Sequence, residues 1–449
     1  MVSHESNLTE DQTGRGVTEA EHIALTPSKK ALSSAKKKNK PEASRKGEPE
    51  FIMTEEMRRL STPWSVASIR AGQIEPMSLP AGVVLDAAAG SGVQLIAYSK
   101  RLKRPALGIE LNEDIAKICA ANMELNSEGA VQRSLDRVLV GDGRDADSAI
   151  SAYWTSLREA GTRAHPPIGM LHLDPARPQD AQNHSIDEMQ PDIKNVLKAW
   201  STHLQTGPRG PAILLDLSPR LDSVQRAMID GIIETTFPGT SRTWEWLSRG
   251  GGRVDRLSVW IGSLSSTNSR RCLRIGRKKI IASIEGEDSA ANPISFESAM
   301  DVPRGAWVSI VDPSLFQSGL QGTWLSMAVR KGTGSSWVRT EGRRPLLIHT
   351  EPLSEDDDVQ GFVVATGEIV QHRLRPPEIH TIDQVASSIS KKGIGKVTLR
   401  CSLDPDIHPT LQRRLDREMK GVEGSRGFMV DMEVARPSGP QTIFLVCKE

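Results

Sequence analysis

Two acidic residues, Asp86 and Glu110, each end an apolar run. A turn of small residues follows the first acid directly, and a helical pattern then leads to the second run. The first run, Val83-Val-Leu-Asp86, leads into Ala-Ala-Ala-Gly-Ser-Gly at 87–92 and then into a helical pattern. Small residues let the backbone turn sharply and let a ligand approach closely. An acid about twenty residues after such a turn can hold the hydroxyls of a ribose. The pattern therefore predicts a βαβ unit that binds a nucleotide-like ligand.

The details of this turn favour S-adenosyl-L-methionine over a dinucleotide. A dinucleotide site has a third glycine so that the pyrophosphate can lie on the helix N-terminus, and this chain has Leu95 there. An acid just before the turn suits the ammonium group of a methionine moiety better than a phosphate. We expect Glu110 to hold the ribose. The residues expected at the methionine end are Asp86, Ala88, Gly90 and Gly92.

A third acid, Asp142, follows the next strand pattern in Val140-Gly-Asp-Gly-Arg144. Its carboxylate could accept a hydrogen bond from the adenine amino group, and Gly143 would permit close approach of the ligand. The alternative interpretation is an ordinary turn at the end of a strand.

Strand patterns and helical patterns alternate along the middle of the chain, which predicts an α/β fold with a parallel sheet covered on both faces. The expected architecture is a Rossmann-like sheet of seven strands, made of five βα units and a final hairpin. The strand-like runs are 83–87, 106–111, 137–141, 168–173 and 212–217, followed by the hairpin 243–248 and 256–261.

Composition indicates a multidomain protein without a membrane span. The chain has 449 residues, of which 37% are hydrophobic, and no apolar run approaches the ~20 residues that a span needs. The N-terminus lacks the apolar segment of a secretory signal. The four cysteines are scattered, so we expect neither a disulfide framework nor a metal site, and a cytoplasmic location.

Basic residues are concentrated near the N-terminus, although the net charge is only +1. Residues 1–50 contain few apolar side chains, so we expect a disordered basic tail. The tail could be a solubilising extension, or it could attract phosphates without sequence preference. Eight of its basic residues lie between positions 29 and 46: Lys29, Lys30, Lys36, Lys37, Lys38, Lys40, Arg45 and Lys46.

From residue 51 onward the sequence resembles class I methyltransferases of bacteria and archaea that carry a C-terminal THUMP-like domain. The resemblance is carried by Leu173-Asp-Pro-Ala-Arg177, Glu245-Trp-Leu-Ser248, the segment 307–320 and the segment 393–415. It implies a class I methyltransferase domain at 80–264 and a THUMP-like α+β domain at 375–449. The residue pattern predicts a helical lead-in at 51–79 and a β-rich intermediate region at 265–374. The resemblance also implies S-adenosyl-L-methionine as the cofactor and RNA methylation as the activity.

The catalytic residues are expected at the carboxyl end of the fourth strand. Enzymes that methylate an exocyclic amine often carry Asp/Asn-Pro-Pro-aromatic there, because the acid and a backbone carbonyl accept the hydrogens of the amine. Asp174 and Pro175 fit this pattern, but Ala176 and Arg177 do not. Arg177 could stack on the base or pair with a phosphate. Alternatively, Asp174 caps the next helix and Arg177 balances its charge.

The sequence thus predicts an RNA methyltransferase that acts on a base nitrogen, with tRNA or another structured RNA as its partner. Methylation of a protein or a small molecule is the second interpretation. A catalytically silent RNA-binding factor is the third. Ala88 favours this third interpretation because methyltransferases usually have a glycine there, and so do Ala176 and Arg177. The oligomeric state is left open.

Overall fold

The computed structural model describes residues 21–128, 131–176, 186–288, 302, 305–434 and 438–449. Within these residues the chain forms a sheet of eleven strands, a sheet of seven strands and a small two-stranded sheet.

The segment before residue 51 is ordered from residue 21 onward, so the prediction of a disordered tail over 1–50 is wrong for this part; residues 1–20 lie outside the described residues. Apolar side chains explain the order, because Leu25, Leu32 and Ala35 pack against the core of the large sheet. The elements here are β1 (Ile23–Leu25), α1 (Lys29–Lys38), β2 (Glu42–Ala43), β3 (Glu50–Phe51), α2 (Glu55–Leu60) and α3 (Trp64–Gln73).

The large sheet contains the predicted alternation of strands and helices. Its remaining strands are β4 (Val83–Asp86), β5 (Ala106–Glu110), β6 (Arg137–Val140), β7 (Ile168–Leu173), β8 (Thr206–Gly207), β9 (Gly210–Leu217), β10 (Arg242–Ser248), β11 (Arg256–Gly262), β12 (Arg270–Ile275) and β13 (Ile280–Gly286). The helices between them are α4 (Val93–Leu102), α5 (Glu113–Leu125), α6 (Ala146–Glu159), α7 (Ile193–Trp200) and α8 (Ser223–Thr236).

The strand order is β1-β6-β5-β4-β7-β9-β11-β10-β12-β13, with β8 paired to β9. The seven strands expected from the sequence occupy consecutive places from β6 to β10, but the sheet is larger than the expected seven strands. It is extended by β1, which pairs antiparallel with β6, and by β12, which pairs parallel with β10. The sequence pattern predicts a separate region from residue 265 onward, but β12 and β13 are part of the large sheet because β12 pairs with β10.

Strands β6, β5, β4, β7 and β9 run parallel, so their carboxyl ends share one edge of the sheet. Their side chains are buried on both faces, as expected for a parallel sheet covered by helices. The loops that follow these five strands therefore lie together. Asp86 and Glu110 end β4 and β5 at this edge, and Asp142 and Asp174 lie in the loops after β6 and β7.

The second sheet combines the predicted β-rich intermediate region with the predicted C-terminal domain. Its strand order is β15-β16-β14-β17-β20-β19-β18. The boundary expected at 374/375 coincides with the end of a central strand, β17, which pairs with β14 on one side and β20 on the other. The elements are β14 (Trp307–Val311), α9 (Ser314–Gln317), α10 (Gln321–Ala328), β15 (Ser335–Arg339), β16 (Leu346–His349), α11 (Asp357–Gln360), β17 (Val363–Leu374), α12 (Ile382–Ser390), β18 (Ile394–Leu399), α13 (His408–Glu418), β19 (Ser425–Val434) and β20 (Gln441–Lys448).

The two large sheets are joined by a continuous apolar core and by polar contacts. Val311 and Trp324 of the second unit belong to the same buried cluster as Trp246 of the first. The Ser248 hydroxyl donates to Asp312 Oδ2 at 2.6 Å. The C-terminal unit is therefore packed against the side of the large sheet formed by β10 and β12.

Candidate active site

The turn after β4 has a backbone conformation that requires glycine at two positions. Gly90 has a φ of 48° and Gly92 a φ of 80°. A Cβ added to Gly92 would lie 2.8 Å from the Sγ of Cys119, so no other residue fits there without a shift. Ala88 is not among the described residues with positive φ, so its methyl group causes no strain at the place where a glycine is usual.

Glu110, the last residue of β5, holds this turn in place. Its Oε2 accepts a hydrogen bond from the Gly90 N–H at 3.0 Å, and its Oε1 accepts one from the Asn112 N–H at 2.9 Å. Burial raises the pKa of Glu110, and the two backbone hydrogen bonds oppose this rise. An ionised carboxylate has about four acceptor sites, so acceptor capacity remains for a ligand hydroxyl beside the backbone hydrogen bonds from Gly90, Asn112 and Leu111.

Asp142 lies in the loop after β6, beside the same turn, and is paired with Arg144. The Nη2 of Arg144 donates to Asp142 Oδ2 at 2.6 Å, and this interaction lowers the pKa of Asp142. Gly143 is packed tightly: a Cβ there would lie 2.1 Å from the carbonyl oxygen of Ala87. The Gly143 carbonyl accepts a hydrogen bond from Trp200 Nε1 at 2.8 Å. Gly143 thus brings the third loop into direct contact with the first.

Asp174 and Pro175 follow β7, the neighbour of β4 in the sheet. Gln94, on the first turn of α4, donates from Nε2 to Asp174 Oδ2 at 2.8 Å, which ties the predicted catalytic acid to the helix after the small-residue turn. Burial, and next the negative charge of Asp216, raise the pKa of Asp174. Ala176 is exposed. Arg177 lies outside the described residues.

A buried network of charged groups lies beneath these loops, and sequence reasoning missed most of it. Asp216, at the end of β9, accepts hydrogen bonds from both terminal nitrogens of Arg70, one of them at 2.6 Å, and from the Ser258 hydroxyl at 2.9 Å. Arg70 also donates to Gln94 Oε1 at 3.2 Å. The carboxylate of Asp216 is thus saturated by internal partners.

His172 bridges two of the acids at the edge of the sheet. Its Nδ1 lies 2.9 Å from Asp86 Oδ2, and its Nε2 lies 3.4 Å from Asp216 Oδ2. Burial alone would lower the pKa of His172, but the two carboxylates outweigh burial and raise the pKa to about 10. Both ring nitrogens of this fully buried histidine therefore have partners. The charged ring holds Asp86 directly beside the turn.

The sequence did contain a signal for Arg70. In α3 the buried positions are Val66, Ala67, Arg70 and Ala71, which form one helical face, and Arg70 is the one charged residue on it. Its side chain is fully buried, and a buried arginine requires an acidic partner. The identity of that partner, 146 residues away in sequence, could not be read from local pattern.

Within the described ranges, no group of three or more His, Cys, Asp or Glu residues is arranged to hold a metal ion. None of the helices in these ranges is long and apolar enough to cross a membrane. All four cysteines are buried and free.

Comparison with known proteins gives a likeness in fold. No family profile matches the sequence, and no curated protein matches it. Among solved structures, a proposed methyltransferase from Porphyromonas gingivalis W83 is 15% identical, with 89% of this chain and 84% of that chain covered and a TM-score of 0.56. Precorrin-6y C5,15-methyltransferase from Geobacter metallireducens GS-15 is 13% identical, with 48% of this chain and 94% of that chain covered and a TM-score of 0.31. The chain therefore shares its fold, over most of its length, with a protein described as a methyltransferase.

Proposed function

We propose that this protein transfers a methyl group from S-adenosyl-L-methionine to a base nitrogen of a structured RNA such as tRNA. One observation carries the proposal: the turn at residues 87–92, Glu110 and Asp174 lie at one edge of one sheet, on three adjacent strands. The turn and Glu110 suit the cofactor. Asp174 suits the amine that receives the methyl group.

The residues around the turn suit the cofactor because they leave space beside Gly90 and supply carboxylates that can accept hydrogen bonds. A Cβ added to Gly90 would meet no atom within 4 Å, so the turn faces open space at this point. Glu110 would hold the ribose hydroxyls through its remaining acceptor sites. Asp86 would attract the ammonium group, and Asp142 the adenine amino group. The sulfonium of the bound cofactor supplies an electrophilic methyl carbon.

In this proposal, Asp174 orients the amine and accepts its proton. Gln94 donates to Oδ2, and in this proposal Oδ1 accepts an N–H of the substrate. Because burial raises the pKa of Asp174, this carboxylate takes up a proton more readily than an exposed one. Pro175 and Arg177 complete the proposed catalytic segment, with Arg177 stacking on the base or pairing with a phosphate.

RNA as the substrate rests on the resemblance of residues 375–449 to THUMP-like domains. The proposed division places the cofactor in residues 80–264 and RNA contacts in the C-terminal region. The proposed location is the cytoplasm. The experiment must distinguish this proposal from two alternatives: methylation of a protein, and RNA binding by a protein that has the fold but no catalytic activity.

The test is tritium transfer from labelled S-adenosyl-L-methionine to RNA, DNA and protein fractions of cells that lack this protein. Wild type is compared with Asp174→Asn and with the exposed control Glu355→Gln, and cofactor binding is measured by calorimetry for each. We expect label in RNA with wild type and with the control, and at least a hundredfold less with Asp174→Asn, by the usual contribution of a positioned proton acceptor. Label in protein alone, or cofactor binding without label in any fraction, would contradict the proposal.

A further inference from the structure

Three arginines meet at one corner of the second sheet, and the proposed function does not use them. Arg339 is the last residue of β15, Arg344 lies in the loop before β16, and Arg400 follows β18 directly. Arg339 and Arg344 belong to one hairpin, in which Arg339 Nε donates to the carbonyl oxygen of Arg344 at 3.1 Å, and Arg400 comes from a distant segment. All three are partly buried. Half-buried arginines need anionic or carbonyl partners, because removing a guanidinium from water is costly.

In the described part of the chain, Arg339 is the one arginine of the three that pairs with a carboxylate. Arg339 Nη1 lies 3.3 Å from Asp431 Oδ2 and also donates to the Ser402 hydroxyl at 3.0 Å. Arg344 donates from Nη1 to the carbonyl oxygen of Cys401 at 2.8 Å, so its partner carries no charge. In the described residues, the side chain of Arg400 has no hydrogen bond or ion pair. The cluster therefore holds three positive charges and one negative charge.

Two observations show that these groups are not fully compensated. Burial lowers the pKa of Arg344, and the positive charges of Arg400 and Arg339 lower it further, while Asp431 opposes them. In addition, Nη2 of Arg339 and Nε of Arg400 are buried without an acceptor in the described residues. A bound anion would reduce the like-charge repulsion between the three guanidinium groups.

The cluster lies next to the edge of the large sheet that carries the candidate active site. Leu257, near the start of β11, pairs with Leu217, the last residue of β9, so the turn between β10 and β11 lies at the carboxyl edge. Gly252 in this turn packs against the loop before β16, where a Cβ would lie 2.8 Å from the carbonyl oxygen of Arg343. Arg343 is adjacent in sequence to Arg344. A ligand that extends along this contact would reach both the arginines and the active-site edge.

We propose that Arg339, Arg344 and Arg400 form a binding site for a backbone phosphate of the RNA substrate, at a distance from the nucleotide that is methylated. The inference rests on the proposed function and adds to it a specific second contact. Phosphate fits this site because its several oxygens can accept hydrogen bonds from guanidinium groups that approach from different directions. The site would fix the position of the RNA on the enzyme without reading its sequence.

The test measures binding of fluorescein-labelled bulk tRNA by anisotropy over a range of KCl concentrations. Arg400→Gln is the main variant, because this side chain has no described bond that its loss could break. Arg163→Gln is the matched control, because this exposed residue precedes β7 at the opposite edge of the sheet. Transfer of tritium and binding of S-adenosyl-L-methionine are measured on the same samples.

We expect Arg400→Gln to weaken tRNA binding about tenfold at 0.15 M salt, which corresponds to the loss of one hydrogen bond to a charged group. The slope of log K against log salt should fall by about 0.7 to 0.9. Cofactor affinity and the rate at saturating tRNA should not change. The control should keep the wild-type affinity and slope.

The inference is overturned if Arg400→Gln binds tRNA with wild-type affinity and slope while wild type methylates RNA. If wild type neither binds nor methylates RNA, the proposed function fails, and the phosphate site fails with it. Equal weakening by Arg163→Gln also overturns the inference, because it would show a general effect of charge.

Discussion

Replacing His172 by asparagine should remove a part of the stability that depends on pH in a defined way. Asparagine can still donate to Asp86, but it cannot carry the positive charge that lies between Asp86 and Asp216. Because the pKa of His172 is raised from 6.5 to about 10, the folded protein holds a proton that the unfolded chain releases. The contribution to stability is therefore complete below pH 6.5 and is lost as the pH rises towards 10.

The magnitude follows from the size of this shift. One pKa unit corresponds to about 1.4 kcal/mol, so the charged histidine contributes at most about 5 kcal/mol below pH 6.5. Between pH 7.5 and 9.5 this contribution should decrease by about 2.5 kcal/mol. The low pKa of Asp216, caused by Arg70 and His172 despite burial, affects stability only at acidic pH, as the pH falls through its folded value. It therefore does not interfere in the chosen range.

The assay is urea unfolding followed by tryptophan fluorescence at several pH values, for wild type, His172→Asn and the exposed control His380→Asn. The difference between wild type and His172→Asn should shrink as the pH rises, while the control runs parallel to wild type. A difference that stays constant from pH 7.5 to 9.5 would refute the reasoning. If His172→Asn does not fold, the protonation of His172 is measured in wild type by NMR of ring-labelled histidine. The reasoning then requires that the buried ring of His172 is still doubly protonated at pH 8.5.

Three further predictions concern the loops and their supports. Gly143→Ala should lower the stability by about 1–3 kcal/mol in thermal unfolding and weaken cofactor binding, because its Cβ would collide with the Ala87 carbonyl; an unchanged melting temperature would contradict the close packing. Arg70→Met should cost about 3–5 kcal/mol in urea unfolding, because Asp216 stays buried without its main partner, and a loss below 1 kcal/mol would refute this role. Glu110→Gln should weaken binding of S-adenosyl-L-methionine by about 1–3 kcal/mol in calorimetry, and equal affinity would place the ribose elsewhere.

Local pattern in the sequence was sufficient to find the central strands. The apolar run that ends at Asp86 is β4, and the run that ends at Glu110 is β5. Both strands are buried on both faces, so their side chains are apolar in an unbroken run, and the acids mark the point where each strand leaves the core. The same regularity placed Asp174 directly after β7.

Contacts between distant segments were beyond the reach of local pattern. The strand β1 has three residues in a segment rich in lysine, and it is stabilised by pairing with β6 more than one hundred residues later in the chain. Strands β12 and β13 likewise read as strands, but only pairing with β10 assigns them to the large sheet. The hydrogen bonds of Arg70 to Asp216 and of His172 to Asp86 also join residues that are far apart in the sequence. Pairing of this type depends on the arrangement of the whole sheet, which a window of neighbouring residues does not contain.

The position of β1 has a consequence for how the protein avoids self-association. Residues 23–25 cover the outer hydrogen-bonding groups of β6, whose sequence Arg137-Val-Leu-Val140 is mostly apolar. An uncovered apolar strand at the border of a sheet is a template on which another chain can add its own strand. A shortened chain that began at residue 51 would expose this template. We therefore expect that the pairing of residues 23–25 with β6 reduces aggregation of the protein through this strand.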